Sequence, residues 1–248
     1  MNKIKKNSKV VYTSITGGYD TLKKPLFMAP DWDYICFTND KIDTTQSAWQ
    51  IRPIPIENEC NTRLSRYVKL VPHNVLQEYD YSVWIDASIQ IKSHFITQRA
   101  DELIRDDRIL SLPLHSSRNC IYDEANVCIS INKDNADIIG RQVAFLRDEG
   151  FPENYGLYGN CIIFRQHNNP NLQKIGEEWW NLLLRYSKRD QLSLSYLLWK
   201  NNLSVELLTE ETYPFKNSND FELFNHGNTS GSLKNKIRGL LKYMIKDF

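Results

Sequence analysis

Short apolar runs alternate with longer amphipathic stretches along the chain, and this alternation predicts an α/β fold. The apolar runs predict strands at residues 10–15, 34–38, 50–54, 109–113 and 161–165, and a further strand that stops at Asp86. The amphipathic stretches predict helices over residues 63–77, 136–149 and 172–186, with another beginning near Arg189. We therefore expect one domain with a mixed sheet flanked by helices.

The polar residues near the end of the chain divide it into three parts. Residues 217–231 are rich in Asn, Ser, Asp and Gly, which predicts a mobile loop after a globular domain of residues 1–216. Residues 232–248 then predict an amphipathic basic helix. Its apolar positions follow helical spacing, and basic residues occupy most of the others: Ile237, Leu240, Leu241, Met244, Ile245 and Phe248 against Lys234, Lys236, Arg238, Lys242 and Lys246. This pattern is typical of a helix on anionic lipid, but also of one packed on the domain or on a partner subunit.

Composition excludes several classes of protein. A chain of 248 residues with 41% hydrophobic residues is long enough for a substantial core. Its net charge of +1 does not fit the broad basic face of a nucleic-acid binder. The start of the chain has no signal-peptide pattern and no apolar run is long enough to span a bilayer, so we expect a cytoplasmic protein, peripheral on the inner face of the cell membrane if the last helix binds lipid. The five cysteines contain no C-x-x-C pair, which predicts reduced, mostly buried thiols.

The most informative polar position is Asp86, at the end of the apolar run Val83 to Ile85. A carboxylate at the end of a buried strand needs solvent, a hydrogen-bond donor or a cation. Ligands bind at the carboxyl edge of open α/β sheets, and Asp86, Ala87 and Ser88 place a carboxylate and a hydroxyl there. These groups suit a hard divalent ion that also holds a diphosphate. An ordinary turn after a strand explains the same triplet.

Polar residues after the first two strands point to the same edge. Thr16, Gly17, Tyr19 and Asp20 follow the first strand, where paired glycines allow close backbone approach and the tyrosine can stack on a base. Thr38, Asn39 and Asp40 follow the second and join them if the two strands are parallel. A tight turn is the alternative explanation of the glycines.

The helix over 63–77 carries three cations at three-residue spacing. Arg63, Arg66 and Lys69 share one face, so they can neutralise a diphosphate or form a solvated basic surface.

Two later segments concentrate ionisable and polar groups. His115, Arg118, Asp123 and Glu124 lie close together in the chain, which indicates a sugar-binding or acid/base cluster, or a set of loop ion pairs. Asp190 and Gln191 begin the last helix of the globular part, where the acid can also serve the positive helix terminus. Asn160 lies just before the strand at 161–165. We expect it either to line the side of the site where the sugar acceptor binds or to form part of a turn.

An ordered set of fragments resembles a known family. ITGGYD, CFTND, RLSRYVKLVPH, WIDAS, HSSRNCIYDEA, YGNCIIFR and RDQLSLSYLLWK resemble the glycosyltransferase-like domain family found in bacterial surface-polysaccharide clusters and plant Golgi proteins. The resemblance covers most of residues 10–215.

This resemblance implies a GT-A fold with a Rossmann-like sheet, in which a D-x-D element holds Mn²⁺ or Mg²⁺ against a nucleotide-sugar diphosphate. Here Ser88 replaces the second acid, and a hydroxyl is a weaker ligand than a carboxylate. By analogy with related GT-A enzymes, Asp190 and Gln191 are expected to reach the transferred sugar. A late histidine, His226, is expected to return to the metal.

The combined prediction is a metal-dependent glycosyltransferase that moves a hexose-type unit from a UDP-linked donor to a surface-polysaccharide or lipid-linked glycan. The predicted donor-site residues are Thr16, Gly17, Tyr19, Asp20, Asn39, Arg63, Arg66, Lys69, Asp86, Ala87 and Ser88. The predicted acceptor or sugar-contacting residues are His115, Arg118, Asn160 and Gln191, and Asp190 and Glu124 are the predicted catalytic acids. Two alternatives stay open: a metal-dependent hydrolase of nucleotide diphosphates or lipids, and a non-catalytic glycan- or nucleotide-binding module.

Overall fold

A seven-stranded sheet forms the centre of the protein in a computed structural model that describes residues 8–42, 48–212 and 215–225. Its strands are β1 (Lys9–Ser14), β2 (Asp33–Phe37), β3 (Gln50–Arg52), β4 (Tyr81–Ile85), β6 (Leu110–Leu112), β7 (Ile162–Arg165) and β8 (Glu206–Leu207). A separate antiparallel pair contains β5 (Ile89–Ile91) and β9 (Phe221–Leu223).

The order of strands in the large sheet is β3-β2-β1-β4-β7-β6-β8. The first four of these strands are parallel, and β7 runs antiparallel to both of its neighbours. The carboxyl ends of β1, β2 and β4 therefore meet at one edge, as the sequence predicts. The predicted α/β class with a mixed, Rossmann-like sheet is confirmed.

The helices that flank the sheet are α1 (Asn61–Leu70), α2 (Phe95–Arg105), α3 (Ile121–Ser130), α4 (Ala136–Asp148), α5 (Pro170–Arg185) and α6 (Gln191–Lys200). The prediction of one helix over 63–77 is wrong at its end, because α1 stops at Leu70 and Pro72 begins a 3-10 turn. The helices predicted at 136–149 and 172–186 are confirmed within two residues. The sequence analysis missed α2 and α3, and α3 begins directly after a polar stretch that reads as a loop.

Apolar side chains pack on both faces of the sheet. In β1, Val10 and Tyr12 enter one core layer and Val11 enters the other, as the alternation of side chains along a strand requires. On the first layer, α5 approaches α1 closely at Gly176, where a Cβ would lie 2.6 Å from the Leu70 carbonyl oxygen. All five cysteines lie in the described residues as free thiols, and all except Cys60 are buried, which confirms the cysteine prediction.

The predicted loop over residues 217–231 contains a strand. Residues 221–223 form β9, and Phe221 is buried against Phe95 and Phe215. The loop prediction is wrong there because one buried phenylalanine and pairing with β5 outweigh the polar composition. Residues 226–248, which include His226 and the predicted basic helix 232–248, lie outside the described residues. No described helix is long and apolar enough to cross a membrane.

Candidate functional site

A cleft of about 440 Å³ opens at the carboxyl edge of the sheet, beside the first turns of α1. It is lined by Ser14, Thr16, Gly17, Tyr19, Asp20, Asn61, Thr62, Ser65, Arg66, Trp84, Asp86, Ala87, Ser88, Lys133, Lys188 and Arg189. The cleft thus contains several cations and Asp86, the carboxylate predicted to hold a divalent ion and its diphosphate. It lies at the edge where open α/β sheets bind ligands.

The turn after β1 brings the backbone into this cleft. Gly17 and Gly18 both have positive φ, +65° and +62°, a conformation that glycine adopts without strain. A Cβ on Gly17 would lie 1.9 Å from Asn61 Nδ2, so the glycine also lets the turn pass the start of α1. The Gly18 amide donates to Asp40 Oδ2 at 2.9 Å, which joins the ends of β1 and β2.

This turn gives a testable prediction. Gly17→Ala combines an unfavourable φ with a clash against Asn61, so we expect it to lower the free energy of unfolding by about 2–3 kcal/mol. Gly18→Ala is the matched control, because its φ is similar but no atom of the described residues lies within 4 Å of the added Cβ. Urea denaturation measures the difference between the two. Equal losses of unfolding free energy in the two variants would show that the contact with Asn61 adds nothing to the cost of the substitution.

Asp86 lies where β4 leaves the sheet. Its backbone amide donates to the Cys161 carbonyl at 2.8 Å, and its Oδ1 accepts from Trp84 Nε1 at 2.7 Å. Lys69 Nζ lies 3.4 Å from the same oxygen. The side chain remains 31% exposed at the cleft. The carboxylate is therefore held in place from the protein side and still offers surface to a ligand.

A buried ion cluster lies beneath Asp86. Lys69 Nζ is 2.7 Å from Asp190 Oδ2, and Arg66 Nε is 3.1 Å from Asp190 Oδ1. The side chains of Lys69 and Asp190 are only 2% and 5% exposed. Lys69 thus contacts both Asp86, which the sequence analysis placed in the donor site, and Asp190, which it placed among the catalytic acids. We call Arg66, Lys69, Asp86 and Asp190 the acid–base cluster.

Elements from distant parts of the chain hold the acid–base cluster in place. Arg165, on β7, donates to the backbone carbonyl of Lys69 at 2.7 Å, which fixes the end of α1. Trp179, on α5, donates to the backbone carbonyl of Asp190 at 2.8 Å. The Asp190 side chain makes no capping hydrogen bond to α6, so its carboxylate serves the cluster and not the helix terminus.

The electrostatics of Asp190 follow from these partners. Burial by itself would raise the pKa of the carboxyl, but the charges of Arg66, Lys69 and Arg189 outweigh it and hold that pKa well below its ordinary value. Asp190 is ionised throughout the physiological range. A carboxylate with such a low pKa is a poor acceptor for the proton of a sugar hydroxyl.

A second set of cations lies on the other side of the cleft. Lys133 precedes α4, and Lys188 and Arg189 precede α6. Asp134 ties the two segments together, because its Oδ2 accepts from the Ser187 hydroxyl at 2.8 Å and from the Lys188 amide at 2.9 Å. The sequence analysis missed Lys133 and Lys188, since they lie far apart in sequence and share no motif.

The predicted cluster after β6 forms at the start of α3. Arg118 Nε donates to Glu124 Oε2 at 2.6 Å, and His115 Nε2 lies 3.7 Å from the same oxygen. Burial and Arg118 lower the pKa of His115 in spite of the nearby glutamate. Cys128 Sγ is 3.5 Å from Glu124 Oε1. His115, Arg118 and Glu124 thus lie together, whereas Asp123 is exposed on α3, and none of these four predicted residues lines the cleft described above.

Four other predicted residues lie away from the cleft surface. Arg63 donates to the carbonyls of Leu183 and Leu184, so it does not share the environment of Arg66 and Lys69. Asn39 is clamped to the Ile54 backbone. Gln191 donates to the Tyr158 carbonyl at 2.8 Å.

Asn160 is the fourth of these residues. It is buried, and neither the nitrogen nor the oxygen of its amide group has a hydrogen-bond partner among the described residues. A buried amide of this kind is costly unless a ligand or water completes it.

The described residues contain no group of three or more His, Cys, Asp or Glu side chains that could hold a metal ion. Mg²⁺ is commonly bound by one or two protein oxygens together with substrate phosphates and water. Asp86 and Ser88 fit that mode, since both line the cleft. His226, the third predicted ligand, lies outside the described residues.

Comparisons with known proteins point to glycosyl transfer. A family described as "TOD1/MUCI70, glycosyltransferase-like domain" matches residues 1–220. The chain is 28% identical over 144 residues to "Probable hexosyltransferase MUCI70" of Arabidopsis thaliana, a match that covers 54% of this chain and 24% of that protein.

Two solved structures align with most of this chain. The apo bifunctional glycosyltransferase WbbM aligns over 87% of this chain and 40% of its own, with 15% identity and a TM-score of 0.45. Mouse xyloside xylosyltransferase 1, also apo, aligns over 92% of this chain and 99% of its own, with 7% identity and a TM-score of 0.47.

Proposed function

Because this chain belongs to the TOD1/MUCI70 glycosyltransferase-like domain family, we propose that it is a glycosyltransferase of the GT-A type. The proposed reaction moves a hexose-type unit from a UDP-linked donor to a surface-polysaccharide or lipid-linked glycan. The observation that carries the proposal is the acid–base cluster at the carboxyl edge of the sheet, with Asp86 exposed above the buried Lys69 and Asp190.

The charge of the cleft supports an anionic donor. Its lining contains the cations Arg66, Lys133, Lys188 and Arg189 and the acids Asp20 and Asp86, so cations exceed acids by two. Lys69 and Asp190 cancel each other beneath it. A positively charged cleft attracts and holds a nucleotide diphosphate. Tyr19, which is 46% exposed at the rim, offers a ring on which the base can stack.

We assign a divalent ion, Mn²⁺ or Mg²⁺, to Asp86 and Ser88 in the donor complex, with His226 as a further proposed ligand. When bound, such an ion neutralises the diphosphate and stabilises the charge that develops as the nucleotide leaves. Arg66, which lines the cleft, adds fixed positive charge at the same place without reorganisation during the reaction, and Lys69 holds the Asp86 carboxylate beside it.

Asp190 is proposed as a positioning residue. It is paired with Lys69 and Arg66, and it does not line the cleft, so it orients the two cations rather than removing a proton. Glu124, ion-paired with Arg118, is proposed to hold the start of α3 behind Arg189. His115 and Arg118 belong to this group, whereas Asn160 and Gln191 are proposed to face the acceptor side.

The decisive experiment measures donor turnover with and without an acceptor. The purified chain is incubated with a panel of UDP-sugars and Mn²⁺ or Mg²⁺, alone or with a glycan extract, and released UDP is quantified. We expect UDP release to rise by at least about tenfold with the correct acceptor, because transfer is faster than hydrolysis. Equal release in both conditions would favour the hydrolase. Tight donor binding without any turnover would favour the non-catalytic binding module.

We further propose that residues 233–248 hold the protein on the inner face of the cell membrane, near a lipid-linked acceptor. The support is the sequence pattern: five basic residues against the single acid Asp247, alternating with an apolar stripe. Each basic group near an anionic surface contributes about 1 kcal/mol.

Liposome flotation tests this proposal. The full chain is expected to float with vesicles that contain anionic lipid, and a chain that ends at Ser232 is expected to float at least about tenfold less. Because the attraction is partly electrostatic, binding of the full chain should weaken as salt is raised. Equal flotation of the two chains would show that the last segment packs on protein instead.

A further inference from the structure

We propose that residues 23–29, here called the apolar loop, form a second membrane-contacting element that inserts into the surface of an anionic bilayer. The apolar loop connects the cleft to β2 and contains three consecutive large apolar residues. The proposal goes beyond the function proposed above, because it concerns folded residues outside both the cleft and the C-terminal segment.

The three apolar side chains are exposed together. Leu26 is 60% exposed, Phe27 is 44% exposed and Met28 is 39% exposed. Single exposed apolar residues are common on protein surfaces, but a consecutive run of three is a feature that a folded protein keeps for contact with something else. Phe27 packs on His94 with ring centroids 4.9 Å apart and the rings tilted by 58°, which supports the side chain from one side without covering it.

The apolar loop is held firmly in this exposed arrangement. Four hydrogen bonds fix its backbone: Trp49 Nε1 to the Lys23 carbonyl at 2.9 Å, Gln90 Nε2 to the Lys24 carbonyl at 2.7 Å, the Leu26 amide to the Ile91 carbonyl at 2.9 Å, and the Ala29 amide to Tyr34 Oη at 3.1 Å. Pro25 between them is buried. With the backbone fixed on both sides, Leu26, Phe27 and Met28 have little freedom to turn inward. Such preorganisation lowers the entropy cost of binding a surface.

The charges around the apolar loop select an anionic bilayer as its occupant. Lys23 and Lys24 are separated from Leu26 only by Pro25, so the loop presents basic groups beside apolar ones. Lys23 Nζ also lies 4.3 Å from the centre of the Phe224 ring. Phe224, near the end of the described residues, therefore lies beside this loop.

The charge of the C-terminal segment argues against the alternative that this segment covers the loop. Residues 233–248 are themselves basic, so docking them beside Lys23 and Lys24 would bring like charges together. An anionic bilayer attracts both elements at once, and the cleft rim at Tyr19, only four residues before Lys23, would then face the lipid surface.

Flotation with full-length variants tests the proposal. Leu26→Ser, Phe27→Ser and Met28→Ser are combined in one chain, and vesicles contain either phosphatidylcholine alone or a mixture with phosphatidylglycerol. We expect the triple variant to bind the mixed vesicles about tenfold more weakly than the unchanged chain, since three inserted apolar side chains are lost. Met28→Ser and Leu184→Ser form a matched pair, because the two side chains are 39% and 38% exposed. Only Met28→Ser is expected to weaken binding.

Depth-dependent quenching gives a second readout that does not depend on affinity. Phe27→Trp should be quenched by brominated lipids above the background of the native tryptophans, and Leu184→Trp should not. Unchanged flotation of the triple variant, or equal quenching at the two positions, would overturn the proposal. So would a concentration-dependent dimer, without vesicles, that the triple variant abolishes, since a second copy of the chain would then cover the loop.

Discussion

Replacing Asp190 by asparagine is expected to lower the free energy of unfolding by about 3–5 kcal/mol and to reduce turnover at least about 100-fold. The residue is 4% exposed and is the partner of both Lys69 and Arg66, so the variant removes the nearest counter-charge of two largely buried cations and leaves only Asp86 beside Lys69. Donor affinity should fall much less than turnover, because Asp190 does not line the cleft. Urea denaturation and steady-state kinetics measure the two effects.

Asp148→Asn is the matched control, because this exposed aspartate on α4 should change stability by less than about 0.5 kcal/mol. Lys69→Met, alone and combined with Asp190→Asn, completes a double-mutant cycle. The combined loss should be smaller than the sum of the single losses, since each single variant leaves an unpaired charge. Additive losses of unfolding free energy would show that Lys69 and Asp190 are not energetically coupled.

The stabilisation of the fold by the ion pairs of Asp190 depends on pH. The pKa of Asp190 is lower in the folded chain than in the unfolded chain, so its stabilising contribution is complete above the unfolded value of about 4. It is lost as the pH falls toward the folded pKa. The stability difference between the unchanged chain and Asp190→Asn should therefore be constant from about pH 6 to 7 and shrink below about pH 4.

Asp86→Ala is expected to weaken divalent-ion-dependent donor binding about 100-fold or more while the chain stays folded. Asp86 is proposed to hold the ion and diphosphate, and its removal leaves Lys69 still paired with Asp190. Calorimetry with UDP, in the presence and absence of Mn²⁺, measures the effect.

Asp80→Asn is the control for this variant, because Asp80 lies just before the opposite end of β4 and bonds Ser8 there. Its UDP affinity should match that of the unchanged chain. If Asp86→Ala retained full Mn²⁺-dependent affinity, the assignment of the ion to Asp86 would be wrong.

Local patterns in the sequence were enough to place several elements and one edge of the sheet. The apolar run before Asp86 and the paired glycines at 17 and 18 predicted polar groups at the carboxyl edge, and Thr16, Gly17, Tyr19, Asp20, Asp86, Ala87 and Ser88 do line the cleft. Two of the missed strands have weak local signals: β8 has two residues, and β9 lies in a polar segment. Their pairing depends on partners distant in the chain.

What the sequence by itself determined is the α/β class, the strand that ends at Asp86 and the family membership, because these depend on periodicity and on short ordered motifs. Only the tertiary structure decided that Lys69 is buried between Asp86 and Asp190, and that Arg63 turns away to α5. The spacing of Arg63, Arg66 and Lys69 defines a helix face, but it does not say which acids that face meets. Those contacts arise from the packing of α1 against α5 and β7, whose residues lie about 100 positions away in the chain.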